Sequence, residues 1–363
     1  KPMSHSQPRF SVCIPNYNYG HYLGQTIESV LNQTFQDFEI IVADNASTDD
    51  SVAVVESFGS DRIRLLRNRY NIGFSPNLDR ATRSATGEYM ILLSSDDLMR
   101  PDALEIYDRT LTQAKELASR TVLTSAYDVI DAEGALQGVG YRPEGDLFYR
   151  AMDLESAKEI RWEDLPVERT EGHAALRQTL RRKDSPAAFL TTCYPRTLYE
   201  EIEGYNNNQR IWPDSHFLNK MLSRNPLLTY VPRRLFAYRV HSSNQLAGEA
   251  KSGALTYQVD SYMHTVEFPQ DVLDEIGVKR DDLVAVFVRK AVMERGLQAL
   301  VAGHWSRGLR TFIFGFATYP VTALRTSTTY GLALLLALGP LGILTARFLY
   351  RRRTRAGDTS RTS

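Results

Sequence analysis

An α/β fold with a doubly wound, mostly parallel sheet of Rossmann-like type and a helical C-terminal extension is predicted by three observations. Short runs rich in Ile, Val and Phe alternate with segments of helical period from Phe10 to Leu93, an alternation that builds parallel sheets. Each run ends in a polar loop. The fourth, Tyr89-Met90-Ile91-Leu92-Leu93, leads through Ser94-Ser95 into two adjacent carboxylates, Asp96 and Asp97, where open α/β sheets bind ligands.

Taken in order, Phe10 to Pro15 reads as the first strand, and Tyr22 to Gln33 as a helix with Leu23, Ile27 and Val30 on its apolar face. Phe38 to Ala43 is the second strand, and Ser47 to Asp50 caps the helix carrying Val52, Val55 and Phe58. Ile63 to Leu66 is the third. A polar loop then enters a helix from Pro76 to Ser84, ahead of the strand that ends at Asp96 and Asp97. Thr121 to Ile130 is a further strand, whereas the charged stretch 134–185 lacks clean periodicity and predicts a loop with one or two amphipathic helices. Strand character resumes at Phe189 to Tyr194, Leu227 to Val231 and Leu235 to Val240, and Asp281 to Leu300 reads as a helix.

Of the 363 residues, 43 are Lys or Arg and 43 are Asp or Glu, so no global field recruits nucleic acid. Cys13 and Cys193 sit in apolar surroundings without metal-ligand spacing, which fits a reducing compartment. Residues 1–9 are polar, carry no signal-peptide core and are expected to be disordered. The stretch Tyr330 to Tyr350 is apolar and is followed by Arg351-Arg352-Arg353 and a basic tail, 351–363, expected to be disordered. A membrane-associating hairpin over 309–350, returning its arginines to the cytoplasmic side, reconciles this tail with a cytosolic main domain. A pair of ordinary buried helices is the competing reading.

The polar loops carry groups suited to a nucleotide. Pro15 stiffens the first turn and Tyr17 offers an aromatic face for a base. Asp44 and Asn45 can hydrogen-bond a pyrimidine edge or ribose, Gly73 after Asn71 permits close backbone approach, and Ser95 and Asp96 follow the fourth strand. On an extended strand Asp96 and Asp97 point apart, one to a cleft and one to a bracing role. Both also suit turns and caps, where Asp is enriched for local reasons.

At this point the sequence resembles family 2 glycosyltransferases of the GT-A fold, of the bacterial cell-surface polysaccharide type. The resemblance rests on Ile14-Pro15-Asn16-Tyr17-Asn18, Ser29-Val30-Leu31-Asn32-Gln33-Thr34, Asp37-Phe38-Glu39-Ile40-Ile41-Val42, Asp44-Asn45-Ala46-Ser47-Thr48-Asp49 and Gly87-Glu88-Tyr89. It resumes at Gly204-Tyr205, Trp212-Pro213-Asp214 and Tyr238-Arg239-Val240-His241-Ser242-Ser243. It implies inverting, metal-dependent transfer of a sugar from a nucleoside-diphosphate sugar to a glycan or lipid-linked acceptor at the cytoplasmic face of the inner membrane. Pro15, Tyr17, Asp44, Asn45 and Gly73 would then hold the base. Asp96 matches the last acid of the family's DxD motif and would bind Mg²⁺ or Mn²⁺, with His241 as metal ligand or phosphate donor, Arg239 near the diphosphate and Asp97 as a supporting, bracing residue. Asp214 falls where the family places its general base, although an acid there also suits a helix cap. Two positions depart from the pattern: Ser94 replaces the first DxD acid, and Asn45 replaces an acid after the second strand.

The implied organisation is a catalytic domain over 10–250, with a nucleotide-binding half at 10–104, an acceptor half at 121–250 containing the insert 134–185, and a helical extension over 270–350. Two rival functions remain at this stage. A nucleotidyltransferase acting on sugar phosphates predicts a glycine-rich basic loop where Asn16-Tyr17-Asn18-Tyr19 stands. A catalytically silent, membrane-associated nucleotide-sugar-binding subunit gains support from Ser94 and loses it to Asp96, Asp214 and His241.

Overall fold

A computed structural model describes residues 7–182, 184–205, 213–242, 261–263, 265–345 and 347. The chain divides into two units, one of residues 1–179 and 184–248, the other of 180–183 and 249–363.

In the first unit, strands β1 (Phe10–Asn16), β2 (Phe38–Asp44), β3 (Ile63–Arg67) and β4 (Tyr89–Leu92) pair in parallel, with β1 between β2 and β4. All seven residues of β1 are buried, as expected of a central strand covered on both faces. Helix α1 (Gly20–Leu31) places Leu23, Ile27 and Val30 in this core at helical spacing. Each such side chain withdrawn from water contributes about 1.5–3 kcal/mol. Helices α2 (Ser51–Ser57) and α3 (Phe74–Arg83) follow β2 and β3.

The remaining strands are β5 (Leu98–Met99), β6 (Thr121–Ile130), β7 (Leu136–Tyr141), β8 (Arg150–Met152), β9 (Glu168–Glu171), β10 (Cys193–Pro195) and β11 (Leu227–Arg239). Among the described residues the sheet runs β3-β2-β1-β4-β10-β6-β11-β5. Strand β10 is antiparallel to both β4 and β6, β5 and β9 are antiparallel to β11, and β11 is parallel to β6. The sheet is therefore mixed, which corrects the mostly parallel expectation. Among the described residues the insert supplies three of the six antiparallel pairings through β7, β8 and β9, beside helices α5 (Leu154–Lys158) and α6 (Gly172–Arg182), and helix α7 (Arg196–Glu201) follows β10. Strand β11 joins two expected strands into one, with register shifts at Val231/Arg234 and Arg234/Phe236.

Of residues 1–9, expected to be disordered, 1–6 lie outside the described residues, and Pro8 and Arg9 are instead held in place. Their carbonyls accept from Glu88 and Tyr89, and the Arg9 guanidinium pairs with Glu88 and Asp108. Gln33, buried at the end of α1, donates to the Ser29 and Arg100 carbonyls and accepts from the Leu104 amide of α4 (Ala103–Ala114). The hydroxyl of Ser29 accepts from the Met99 amide. This polar brace fixes the chain immediately after the acid turn.

The second unit is helical among its described residues: Gln270–Glu275, Arg280–Val286, Glu294–Val301, Trp305–Thr318, Pro320–Arg325 and Ser327–Ala337, with a π-helical stretch at Phe287–Met293. Phe287, Val288, Val292, Leu300, Leu332 and Leu336 form its core. No helix among the described residues is long and apolar enough to cross a membrane. The apolar run from Tyr330 is interrupted at Gly339, whose φ of 54° ends the helix; residues 348–350 and the basic tail lie outside the described residues.

Candidate active site

The first two loops are knitted to each other. Asn16, the last residue of β1, donates from Nδ2 to Asp44 Oδ1 at 3.0 Å and to Ser47 Oγ at 3.2 Å, while the Ser47 amide donates to Asp44 Oδ2 at 3.1 Å. Asn18 and Ala46 take positive φ, and the Asn18 side-chain carbonyl accepts from the Thr48 amide. Pro15 lies inside β1 opposite Ala43, buried, so it shapes the strand end from within and not the turn itself. Tyr17 is 44% exposed, leaving its ring open to a planar partner. Asp49 receives the Gly20 amide at the start of α1; burial pulls its carboxyl upward, but hydrogen bonds from Ser51 and Gly20 hold it below the usual range.

Asn45 is buried and engaged at both ends. Its Oδ1 accepts from Asn68 Nδ2 and the Ile72 amide, both at 2.9 Å, and its Nδ2 donates to Asn71 Oδ1 and the Gly73 carbonyl. The two lone pairs expected to meet a base are thus committed to the loop. Asn77 continues the ladder from α3, accepting from Asn68 and donating to the Ala43 carbonyl. Gly73 has φ 90°, a conformation costly for any residue with a Cβ, and precedes α3.

The fourth loop differs most from expectation. Strand β4 ends at Leu92, and Asp96 lies in a turn, so the two acids are separated by turn geometry and not by strand alternation. Thr26 of α1 donates to the Ser95 carbonyl at 3.0 Å, and the Asp97 amide donates to the Ser94 carbonyl. Ser95 is buried. Asp97 is 1% exposed and accepts the Arg239 amide at 2.9 Å. Burial, and next the neighbouring Asp96 charge, push its carboxyl well above the usual range. Asp96 instead meets His241: Oδ2 stands 3.0 Å from Nε2.

Arg239, expected near the diphosphate, is 1% exposed. Its Nε donates to the Asp96 carbonyl, one terminal nitrogen to the Ala132 carbonyl and the other to Gln25 Oε1, while the guanidinium lies 4.7 Å above the Tyr22 ring. It is a brace joining α1, the acid turn, the β6–β7 connection and β11. Sequence reasoning missed Tyr19, Tyr22 and Gln25, all on or beside α1. The Tyr19 and Tyr22 rings pack 5.6 and 4.9 Å from His241, and burial, then the Asp96 charge, raises the Tyr19 hydroxyl to about 12. Their signal was the density of aromatics at Tyr17 to Tyr22, beside a motif already singled out.

Asp214 lies in the first turn of helix α8 (Pro213–Leu222), and with Leu92, Phe189, Thr192 and Phe217 it lines a shallow depression. Leu92 ends β4, so this depression adjoins the strand that leads to Asp96. The Gly204-Tyr205 motif anchors the helix: the Tyr205 ring stacks on Phe217 at 3.9 Å, and its amide donates to Asp79 of α3. Trp212 and Ser243 lie outside the described residues.

Asp96 and His241 supply one hard oxygen and one imidazole nitrogen side by side, a pair that fits a divalent cation whose other ligands come from a diphosphate. Among the described residues no group of three or more His, Cys, Asp or Glu could hold a metal.

Residues 11–119 match the family model described as glycosyl transferase family 2. Chondroitin synthase of Escherichia coli is 33% identical over 136 residues, 37% of this chain and 19% of that protein. The Escherichia coli UDP-Glc:alpha-D-GlcNAc-diphosphoundecaprenol beta-1,3-glucosyltransferase WfgD is 35% identical over 96 residues, 26% of this chain and 38% of that one. The chain thus spans less than half the length of these curated relatives. The crystal structure of S. aureus TarS 1–349 in complex with UDP-GlcNAc superposes with a TM-score of 0.57 over 96% of this chain and 92% of that one, at 14% identity, a likeness of fold. The parallel strands of residues 11–119, which end in the loops described above, are thus similar to glycosyl transferase family 2, and the chain shares the fold of the TarS structure.

Proposed function

We propose that this chain transfers a sugar from a nucleoside-diphosphate sugar to an acceptor hydroxyl with inversion at the anomeric carbon. The observation that carries the reading is the Asp96–His241 pair at the carboxyl end of the β1–β4 sheet, framed by the Tyr17, Asp44 and Gly73 loops. In this mechanism the Tyr17 ring stacks on the base, Asp44 and backbone groups near Gly73 meet its edge or ribose, and Asn45 and Asn71 hold that wall in shape. Asp96 and His241 would hold Mg²⁺ or Mn²⁺, whose charge would stabilise the departing diphosphate. Arg239 and Asp97 keep the Asp96 carboxylate facing His241.

Asp214 accepts the proton from the acceptor hydroxyl as its oxygen bonds to the anomeric carbon. The bond from that carbon to the phosphate oxygen breaks, and the nucleoside diphosphate leaves. Fixing base and diphosphate at separate loops orients the sugar for in-line attack. The relatives' names, a chondroitin synthase and a diphosphoundecaprenol-linked glucosyltransferase, support a glycan or lipid-linked acceptor in surface polysaccharide assembly, and with the apolar C-terminal stretch they support work at the cytoplasmic membrane face. A thermal-shift screen of nucleotide sugars with Mn²⁺ tests the donor side: one nucleoside-diphosphate sugar should raise Tm selectively, and the rise should vanish on chelation. Equal response to every nucleotide, or none, would sink this part of the reading.

A further inference from the structure

The second unit carries a surface that includes none of the site residues named above. From Arg295 to Gly357 the chain has no Asp or Glu, although the whole chain is charge-balanced. Arg307, Arg310, Arg325 and Arg347 are exposed within this stretch. Interspersed with them, Ile313, Val321, Tyr330, Leu334, Leu341 and Leu344 are 54 to 64% exposed. Scattered exposed apolar residues are ordinary; a succession of them on consecutive helices stripped of acids is not.

The spacing is that of a two-faced helix. In Ser327–Ala337, Thr329, Leu332, Leu335 and Leu336 are buried, while Tyr330 and Leu334, four residues apart, stand exposed with Leu338 next in the row. At 11 residues this helix is about 16 Å long, roughly half the hydrocarbon thickness of a bilayer. It can lie in an interface but not cross it. A second copy of the chain placed across a two-fold axis would set arginines against arginines, whereas an anionic bilayer satisfies both the arginines and the leucines.

We infer that residues 305–345, with Arg347, form a non-spanning docking surface for a bilayer rich in anionic phospholipid. Leu334, Leu341 and Leu344 enter the headgroup boundary, and Arg310 and Arg325 bind lipid phosphates. The inference rests on the membrane-face location in the proposed function, but not on sugar transfer.

Co-sedimentation of the full chain with vesicles of phosphatidylcholine alone, or with phosphatidylglycerol added, tests it. The chain should partition on the order of tenfold more strongly onto the anionic vesicles, and added salt should weaken that preference. Leu334→Asp with Leu341→Asp, and separately Arg310→Gln with Arg325→Gln, should each lower partitioning on the order of tenfold. The second pair alters only exposed polar groups, so it reports even where the first disturbs folding. Equal binding to both vesicles, full binding by the arginine pair, or dimers in solution that the leucine pair converts to monomers would overturn the inference. Nucleoside-diphosphate release, measured in parallel without vesicles, reports on sugar transfer independently.

Discussion

Arg239 concentrates more of the site's geometry than any carboxylate. Its backbone amide holds Asp97, and its guanidinium reaches the Asp96 carbonyl, the Ala132 carbonyl and Gln25 across the Tyr22 ring. Replacing it with methionine leaves buried acceptors without donors, and Arg239→Met should cost on the order of 3–5 kcal/mol in urea unfolding. A shift of only a few tenths would remove its bracing role. Cys13 and Cys193 are fully buried, and burial pushes both thiols upward, so native protein should leave both unmodified by a thiol reagent at pH 8 and yield both after denaturation. Rapid native labelling would contradict that packing.

At the scale of elements, the loop after β2 depends on an asparagine that makes four hydrogen bonds within the protein. Asn45→Ala should therefore lower stability by about 1–3 kcal/mol and raise the donor KM with less effect on kcat. An unchanged KM would show that the wall it shapes does not meet the donor. The strands of this half were legible because Val, Ile and Phe runs alternate with helices of clear period, and each strand end carries polar residues. The ladder Asn45, Asn68, Asn71, Asn77 was not legible, since a lone asparagine in a loop says nothing about which distant amide it meets. The insert was opaque for a related reason: β8 and β9 are three and four residues long, too short to show a period. The acid turn misled because Leu93 continues the apolar run although β4 stops at Leu92.

For the whole molecule, the β1–β4 half collects its loops at one edge, and the added strands β5, β6, β10 and β11 bring Arg239 and His241 to the same turn from far along the chain. Sequence spacing cannot reveal that meeting; it comes from β11 pairing with both β6 and β5. The proposed reaction joins this edge to Asp214 on α8. Its most direct measurement is release of nucleoside diphosphate by the purified chain given a panel of nucleotide sugars, Mn²⁺ and glycan acceptors, with Asp214→Asn in parallel. The account predicts turnover of a preferred donor by the unaltered chain and a loss on the order of 10²- to 10⁴-fold in the variant, with donor binding retained. No turnover with any donor, or equal turnover by Asp214→Asn, would contradict it.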